Sequence, residues 1–297
     1  MQDPESTPIT SAAGRVKAAQ TFHEWSRDAL RAPNADNAAL DGDDAAASAK
    51  SPPQRVGNYC QIFQDTVIVS GRAEIVDKAG KKSEVAYQKG KMYKELQRDF
   101  EKAVVSSNVA VLGSGDVAPK MAGLGVMLYT NAAHGVGGST VAHTSGAATV
   151  APTAGTARPL TEAIYKGALQ TTYINAGKVP KAVYFSPAHK QVASAFTGIA
   201  QMRYEVKGDN QGTIIGAADV YVSDFGAVSH VPHYMMAGST NVYGLDLSEV
   251  KVVYLRPYAS KELGKTGDSE RHQCLLDATL RVEAEKACFK ISDLSGG

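Results

Sequence analysis

The chain has 297 residues, 43% hydrophobic and 21% charged, with a net charge of +1. That is enough apolar content for one elaborate domain or two ordinary ones, and too little charge imbalance for a dedicated nucleic-acid or membrane-surface binder. Cys60, Cys274 and Cys288 stand far apart with no C-x-x-C pair, which argues against a disulfide scaffold or structural zinc and suits reducing surroundings. The opening MQDPESTPIT is polar and acidic rather than leader-like. No apolar run of about 18 residues occurs, which excludes a spanning helix.

Residues 1 to about 20 carry no firm pattern and read as a flexible arm or a frayed terminus. Thr21 to Leu30 predicts a short exposed strand with the sole tryptophan, Trp25, as either a core or an interface anchor. The next segment holds four acids, Asp36, Asp41, Asp43 and Asp44, with no base between Arg31 and Lys50. Small residues, Pro33, Gly42 and the Pro52-Pro53 pair make it an extended loop. Its acids miss the alternating register and late glutamate of a calcium loop, so docking on a basic surface is the better use of its charge. Asn58 to Ser70 reads as a pair of strands.

Helical signals follow. A short helix is expected from an N-cap at Ser70 to a terminal Gly80. A long one runs from Ser83 to about Asn108, with Val85, Met92, Leu96, Phe100, Ala103 and Val104 on one face. Gly90 weakens its first turns, which allows a start later than Ser83. Lys91, Glu95, Arg98 and Lys102 are spaced for the opposite, solvated face.

Val109 to Gly123 contains Gly113, Gly115 and Ala118 in the G-x-G-x-x-A spacing of a dinucleotide loop. Pro119 and the glycines at 123 and 125 leave no amphipathic helix behind it. No Asp or Glu occurs from Val117 to Thr161 to bind a ribose. A turn out of the long helix is the reading that remains. Residues 130 to 157 are low in complexity, rich in Gly, Ala, Ser and Thr, and read as a surface loop; His134 and His143 lie in it without ligand-like spacing.

From Pro159 an α/β region is expected. It comprises a helix to a Gly177 cap, a strand Val183 to Phe185, a helix opened by Pro187, and strands near Ile214-Ile215 and Val220 to Val222. His230, His233 and Asp224 are close in sequence, but Pro232 between the histidines favours an ordinary loop over a metal site. The chain closes with a strand from Val250 to Tyr258, a polar turn over 261–270, and strands alternating at Leu276, Ala278, Leu280 and Val282. No nucleophile elbow or Ser/His/Asp spacing is present.

Several long stretches carry a family likeness: FHEWSRDAL with NAALDGDDA, GNYCQIFQDTVIVSG, AYQKGKMYKELQRDFEKAVVSSN, KMAGLGVML, and VVYLRPYASKELGKTGDSERHQCLLDATLRVEAEKACFKISDL. In these the chain resembles tailed-phage major capsid proteins of the SU-ten type, over about Phe22 to Leu294 and most weakly across 130–157. The resemblance implies an α+β Hong Kong 97-type phage capsid fold. Its parts would be an N-terminal arm (1–21), an extended loop (22–57), a peripheral domain with a long spine helix (58–129), an axial α/β domain (130–245) and a second peripheral part (246–297). It implies an icosahedral shell around double-stranded DNA that is contacted non-specifically. Partners would be other copies in pentamers and hexamers, with a decoration or cement protein, a scaffold and a portal, and no membrane. No catalytic residue, cofactor or metal is expected. Trp25, Asp36, Asp41, Asp43 and Asp44 are the candidate contacts on the loop side, and Lys91, Lys94, Arg98 and Lys102 on the spine. A cellular nanocompartment shell shares the fold and is the alternative; a nicotinamide enzyme would rest on GSGDVA alone.

Overall fold

The computed structural model describes residues 4, 6–39, 41–42, 44, 51–76, 82–196 and 220–297. The chain begins with a departure from the expected arm. Pro at the first turn sets up a short helix α1 (Pro8–Ala12), and strand β1 (Gly14–Lys17) follows directly. Ile9 and Ala13 are buried, so this segment is part of the body rather than a free arm. Strands β2 (Phe22–Arg27) and β3 (Gln54–Tyr59) pair antiparallel, from Phe22 opposite Tyr59 to Arg27 opposite Gln54. The acidic segment is the excursion between them.

After Cys60 the chain enters β4 (Gln61–Ser70), then helix α2 (Gly71–Ile75), capped by the Ser70 hydroxyl accepting from the Ala73 N–H. This helix ends earlier than expected; Gly80, its anticipated stop, lies outside the described residues. Helix α3 (Glu84–Val104) is the spine. Ser83 caps it through the Ala86 N–H, and Gly90 sits inside it, so the start is not delayed. Its apolar face is buried as the spacing predicts, with Met92, Leu96, Phe100 and Val104 each 3% exposed or less.

Gly113 to Ala118 forms the expected turn, closed by a Val111–Lys120 bridge, with only a four-residue helix α4 (Leu124–Met127) beyond it. The low-complexity stretch is the surface loop its composition suggests, and it is held in place by its own pairings. It supplies β5 (Ala132–Ala133) and β6 (Gly146–Ala147) and is pinned by a Ser139–Thr153 bridge. Gly135, Gly138 and Gly155 crowd against one another and around Asp293. A Cβ on Gly135 would lie 2.1 Å from the Thr156 carbonyl oxygen, and one on Gly138 2.6 Å from Asp293 Oδ2. The composition serves close backbone approach, not disorder.

The α/β region holds α5 (Glu162–Ala176), β7 (Ala182–Phe185), α6 (Pro187–Ser194), β8 (Val220–Ser223), β9 (Gly226–Pro232) and β10 (Val242–Leu245). Gly177 ends α5 in the left-handed region at φ 68°. The strand anticipated at Ile214-Ile215 lies outside the described residues. His230 is on β9 rather than in a loop. It bonds Tyr165 while His233 faces the spine, so the two histidines do not converge.

The chain closes with a hairpin longer than expected, β11 (Val250–Leu263) and β12 (Ser269–Val282), and then β13 (Phe289–Ile291). Sheet order separates two layers. One sheet runs β1-β11-β12-β4 and carries the spine on one face, with Phe100 edge-on to Phe63 at 5.6 Å. The other runs β5-β13-β10-β7-β9-β8. β13 therefore leaves the hairpin and completes the second sheet, so residues 246–297 do not form one peripheral unit. The third sheet, β2-β3-β6, roots the excursion. Tyr243 on β10 donates to the Val105 carbonyl at 3.1 Å and ties the second sheet to the end of the spine.

Candidate assembly surface

The extended loop projects from a rigid root. Trp25 is 5% exposed, and its indole N–H donates to the Val282 carbonyl at 2.9 Å. Arg27 Nη2 donates to the same carbonyl at 2.8 Å. The Arg27 and Arg281 guanidinium carbons lie 5.7 and 6.0 Å from the indole ring centre. Asn58, fully buried, donates to the Leu280 and Ala122 carbonyls and accepts from the Ala122 N–H. Trp25 is thus a core anchor within its own chain, and the expectation of an interface contact there is corrected: its ring and N–H are already used.

Beyond the root, Asp36, Asp41 and Asp44 are exposed. Asp43 lies outside the described residues. Asn34 closes a local turn by accepting from the Asp36 N–H at 3.0 Å. Asp36 and Asp41 stand exposed on a loop whose two ends are fixed by the β2–β3 pairing.

The spine cations divide. Lys91, Lys94, Arg98 and Lys102 recur at spacings of three and four and share one stripe, opposite the buried face. Lys91 pairs with Glu95 at 3.4 Å, which weakens its field outward. Lys102 donates to the Met235 carbonyl at 2.6 Å and holds the second layer against the helix, so its main contact is internal. Lys94 and Arg98, both half-buried, lie on the stripe between them.

Two groups that matter here were not singled out in the sequence. Glu101 has a fully buried side chain and accepts from the Ile9 N–H at 2.8 Å, the Thr10 N–H at 2.9 Å and His233 Nε2 at 2.9 Å. Those amides are first-turn donors of α1, which no helical carbonyl can satisfy. Burial alone would push the carboxyl pKa up. The bonds from His233, Thr10 and Ile9 outweigh it and hold the group below the usual carboxylate range. The Thr7-Pro8 start signature was the available clue that a helix, and not an arm, lay there. Lys290 is the other. It is 1% exposed, donates to the Gly125 carbonyl and to Thr140, and burial pulls its pKa down to about 8.

His143 packs edge-on against Tyr129 at 5.1 Å, and burial followed by the Arg27 charge lowers its pKa to about 4. Burial, with Lys190 adding to it, lowers His230 likewise to about 4. In the unfolded chain each would bind a proton near 6.5. Stability therefore falls as pH drops from about 6.5 toward 4, because the unfolded state takes up protons that the folded state refuses. Urea midpoints at pH 7 and pH 5 are expected to differ in that direction, and a His143→Leu subunit to show the smaller difference.

Among the described residues no group of three or more His, Cys, Asp or Glu is placed to hold a metal ion. What the fold and surface define is a capsid-type shell subunit: a spine helix on an antiparallel sheet, a second α/β layer, and a long rooted loop. Solved structures carry the same fold. The capsid asymmetric unit of cyanophage A-1(L) matches with a TM-score of 0.63 at 14% identity, over 97% of this chain and 93% of that one. The holo-SrpI encapsulin of Synechococcus elongatus PCC 7942 matches with a TM-score of 0.52 at 12% identity, over 99% and 91%. The chain belongs to the SU10 major capsid protein family, whose sequence model matches residues 1–295. It is also 34% identical over 103 residues to the major capsid protein of Escherichia phage Phieco32, a stretch that spans 35% of this chain and 29% of that relative.

Proposed function

We propose that this chain is the subunit of an icosahedral shell that encloses the double-stranded DNA of a tailed phage. It assembles from pentamers and hexamers in the host cytoplasm and catalyses no reaction. The observation that carries this reading is the family match over residues 1–295. The fixed loop root supports it. A closed shell needs the same heterologous contact repeated many times, each weak enough to be corrected. The exposed acids at 36, 41 and 44 meet that need by lying over the basic stripe of an adjacent spine. Exposed pairs contribute about 0–1 kcal/mol each, so several in parallel hold the contact. A near-neutral subunit also avoids gripping packaged DNA, whose phosphates bind cationic surfaces non-specifically. The peripheral part of the subunit is the spine with its four-stranded sheet, and the axial part is the six-stranded sheet with its helices.

Electron microscopy of the purified protein is the direct test. Angular particles tens of nanometres across are expected, and a monomer under every condition tried overturns the reading. Changing Asp41, Asp43 and Asp44 together to Lys should block assembly while circular dichroism and melting stay unchanged; normal particles from that variant would remove the acidic loop from the contact. A nanocompartment shell differs in its content, so nucleic acid inside particles formed during infection separates it from a phage head.

A further inference from the structure

A cleft of about 640 Å³ opens between α1, the spine and the long hairpin. Its floor is apolar, with Leu96, Phe100, Tyr254, Tyr258 and Leu276 among the lining side chains, and Arg15 stands exposed at its mouth. Tyr93, on the rim, is 40% exposed. Hydrophobic surface of this depth, ringed by polar groups, marks a contact site. The extended loop carries the complementary feature. Leu30 is 99% exposed and is the only large apolar side chain among the described residues of 28–53.

We infer that Leu30 of one subunit plugs this cleft in a second copy of the chain. The inference rests on the shell reading above and gives its loop contact a centre. Charge sets the direction of the loop. After Leu30 come four acids and no base up to Lys50, and the cleft presents an exposed cation, Arg15, at its mouth. A leucine seated in the cleft brings the start of the acidic tract to that basic mouth, apolar anchor in the middle and charged groups at the rim. The plug comes from another copy because the loop root is tied to Val282, about 20 Å along β12 from Leu276 in the cleft floor, and Leu30 points into solvent in its own chain.

The test uses full-length subunits, each with one added cysteine beside the buried native Cys60, Cys274 and Cys288. Leu30→Cys and Gln97→Cys proteins are mixed, assembled and oxidised; Gln97 lines the cleft. A covalent dimer from the mixture, absent when either protein is oxidised alone, is the expected result. No dimer from particles that assemble normally overturns the plug, as does an intrachain bond without dimer in the Leu30→Cys/Gln97→Cys double variant. Separately, Leu30→Asp should raise the subunit concentration needed for assembly about tenfold or more, with an unchanged melting curve because the side chain is exposed. Leu40→Asp is the comparison: a larger effect there than at Leu30 overturns the assignment. Wild-type protein that never assembles defeats the shell reading itself. Assembly of Leu30→Asp at the wild-type concentration defeats only the plug.

Discussion

A Glu101→Ala subunit is expected to lose on the order of 3–5 kcal/mol of stability, since removing one member of a buried charged cluster strands the others. The Ile9 and Thr10 amides and the His233 ring all lose their acceptor at once, in a site with no solvent access to either Glu101 or His233. Glu101→Gln keeps the shape and one carbonyl acceptor, so an intermediate loss is expected. Chemical denaturation measures both. Amide exchange locates the effect: α1 should exchange freely in the alanine variant while the hairpin core stays protected. Protection of α1 equal to the parent's would show that apolar burial of Ile9 alone holds it. The pH sign follows from the lowered pKa. Unfolded, the carboxyl binds a proton in the ordinary carboxylate range; folded, it does so only below that range. Its stabilisation is complete at neutral pH and disappears as pH falls through the folded value.

The second large effect belongs to Trp25. Truncation to Ala should cost about 3–5 kcal/mol, through the cavity left and the lost bond to Val282. Trp25→Phe should cost clearly less, keeping most of the packing. Because this is the sole tryptophan, its fluorescence reports a single environment. Emission should already be that of a buried indole in the free subunit and should not shift on assembly. A shift on assembly would return Trp25 to the interface from which its burial removes it. Loss of the root should also loosen the excursion, so Trp25→Phe particles would assemble and Trp25→Ala particles would not.

Periodicity and punctuation made the spine, α5 and α6 readable, because each buries one face and announces its ends: Ser83 before the spine, Gly177 after α5, Pro187 opening α6. The excursion was equally legible as an acidic loop. The segment 130–157 was legible as a surface loop but its anchoring was not, because glycine required for close backbone approach spells the same composition as glycine in an unstructured linker. The partner that orders it, Asp293, arrives more than a hundred residues later. Glu101 was hidden for a related reason. It belongs to the charged side of the helix and is buried only because α1 and His233 lie over it, from 92 residues before and 132 after. Helical spacing alone carries no sign of that tertiary cover. Trp25 shows the limit for anchors, since an isolated aromatic carries no mark of which body it will pack against.

The seam that joins Trp25 to Val282, and the last strand that completes the six-stranded sheet, also fix a timetable. The loop root cannot set until the end of β12 has left the ribosome, 257 residues after the tryptophan. The second sheet cannot close until Phe289–Ile291 slots between β10 and β5. Contacts so distant in sequence form slowly, and here they delay the presentation of a fixed loop until β12 and β13 have been made. A chain made only as far as β11 therefore has no fixed loop to offer a neighbour.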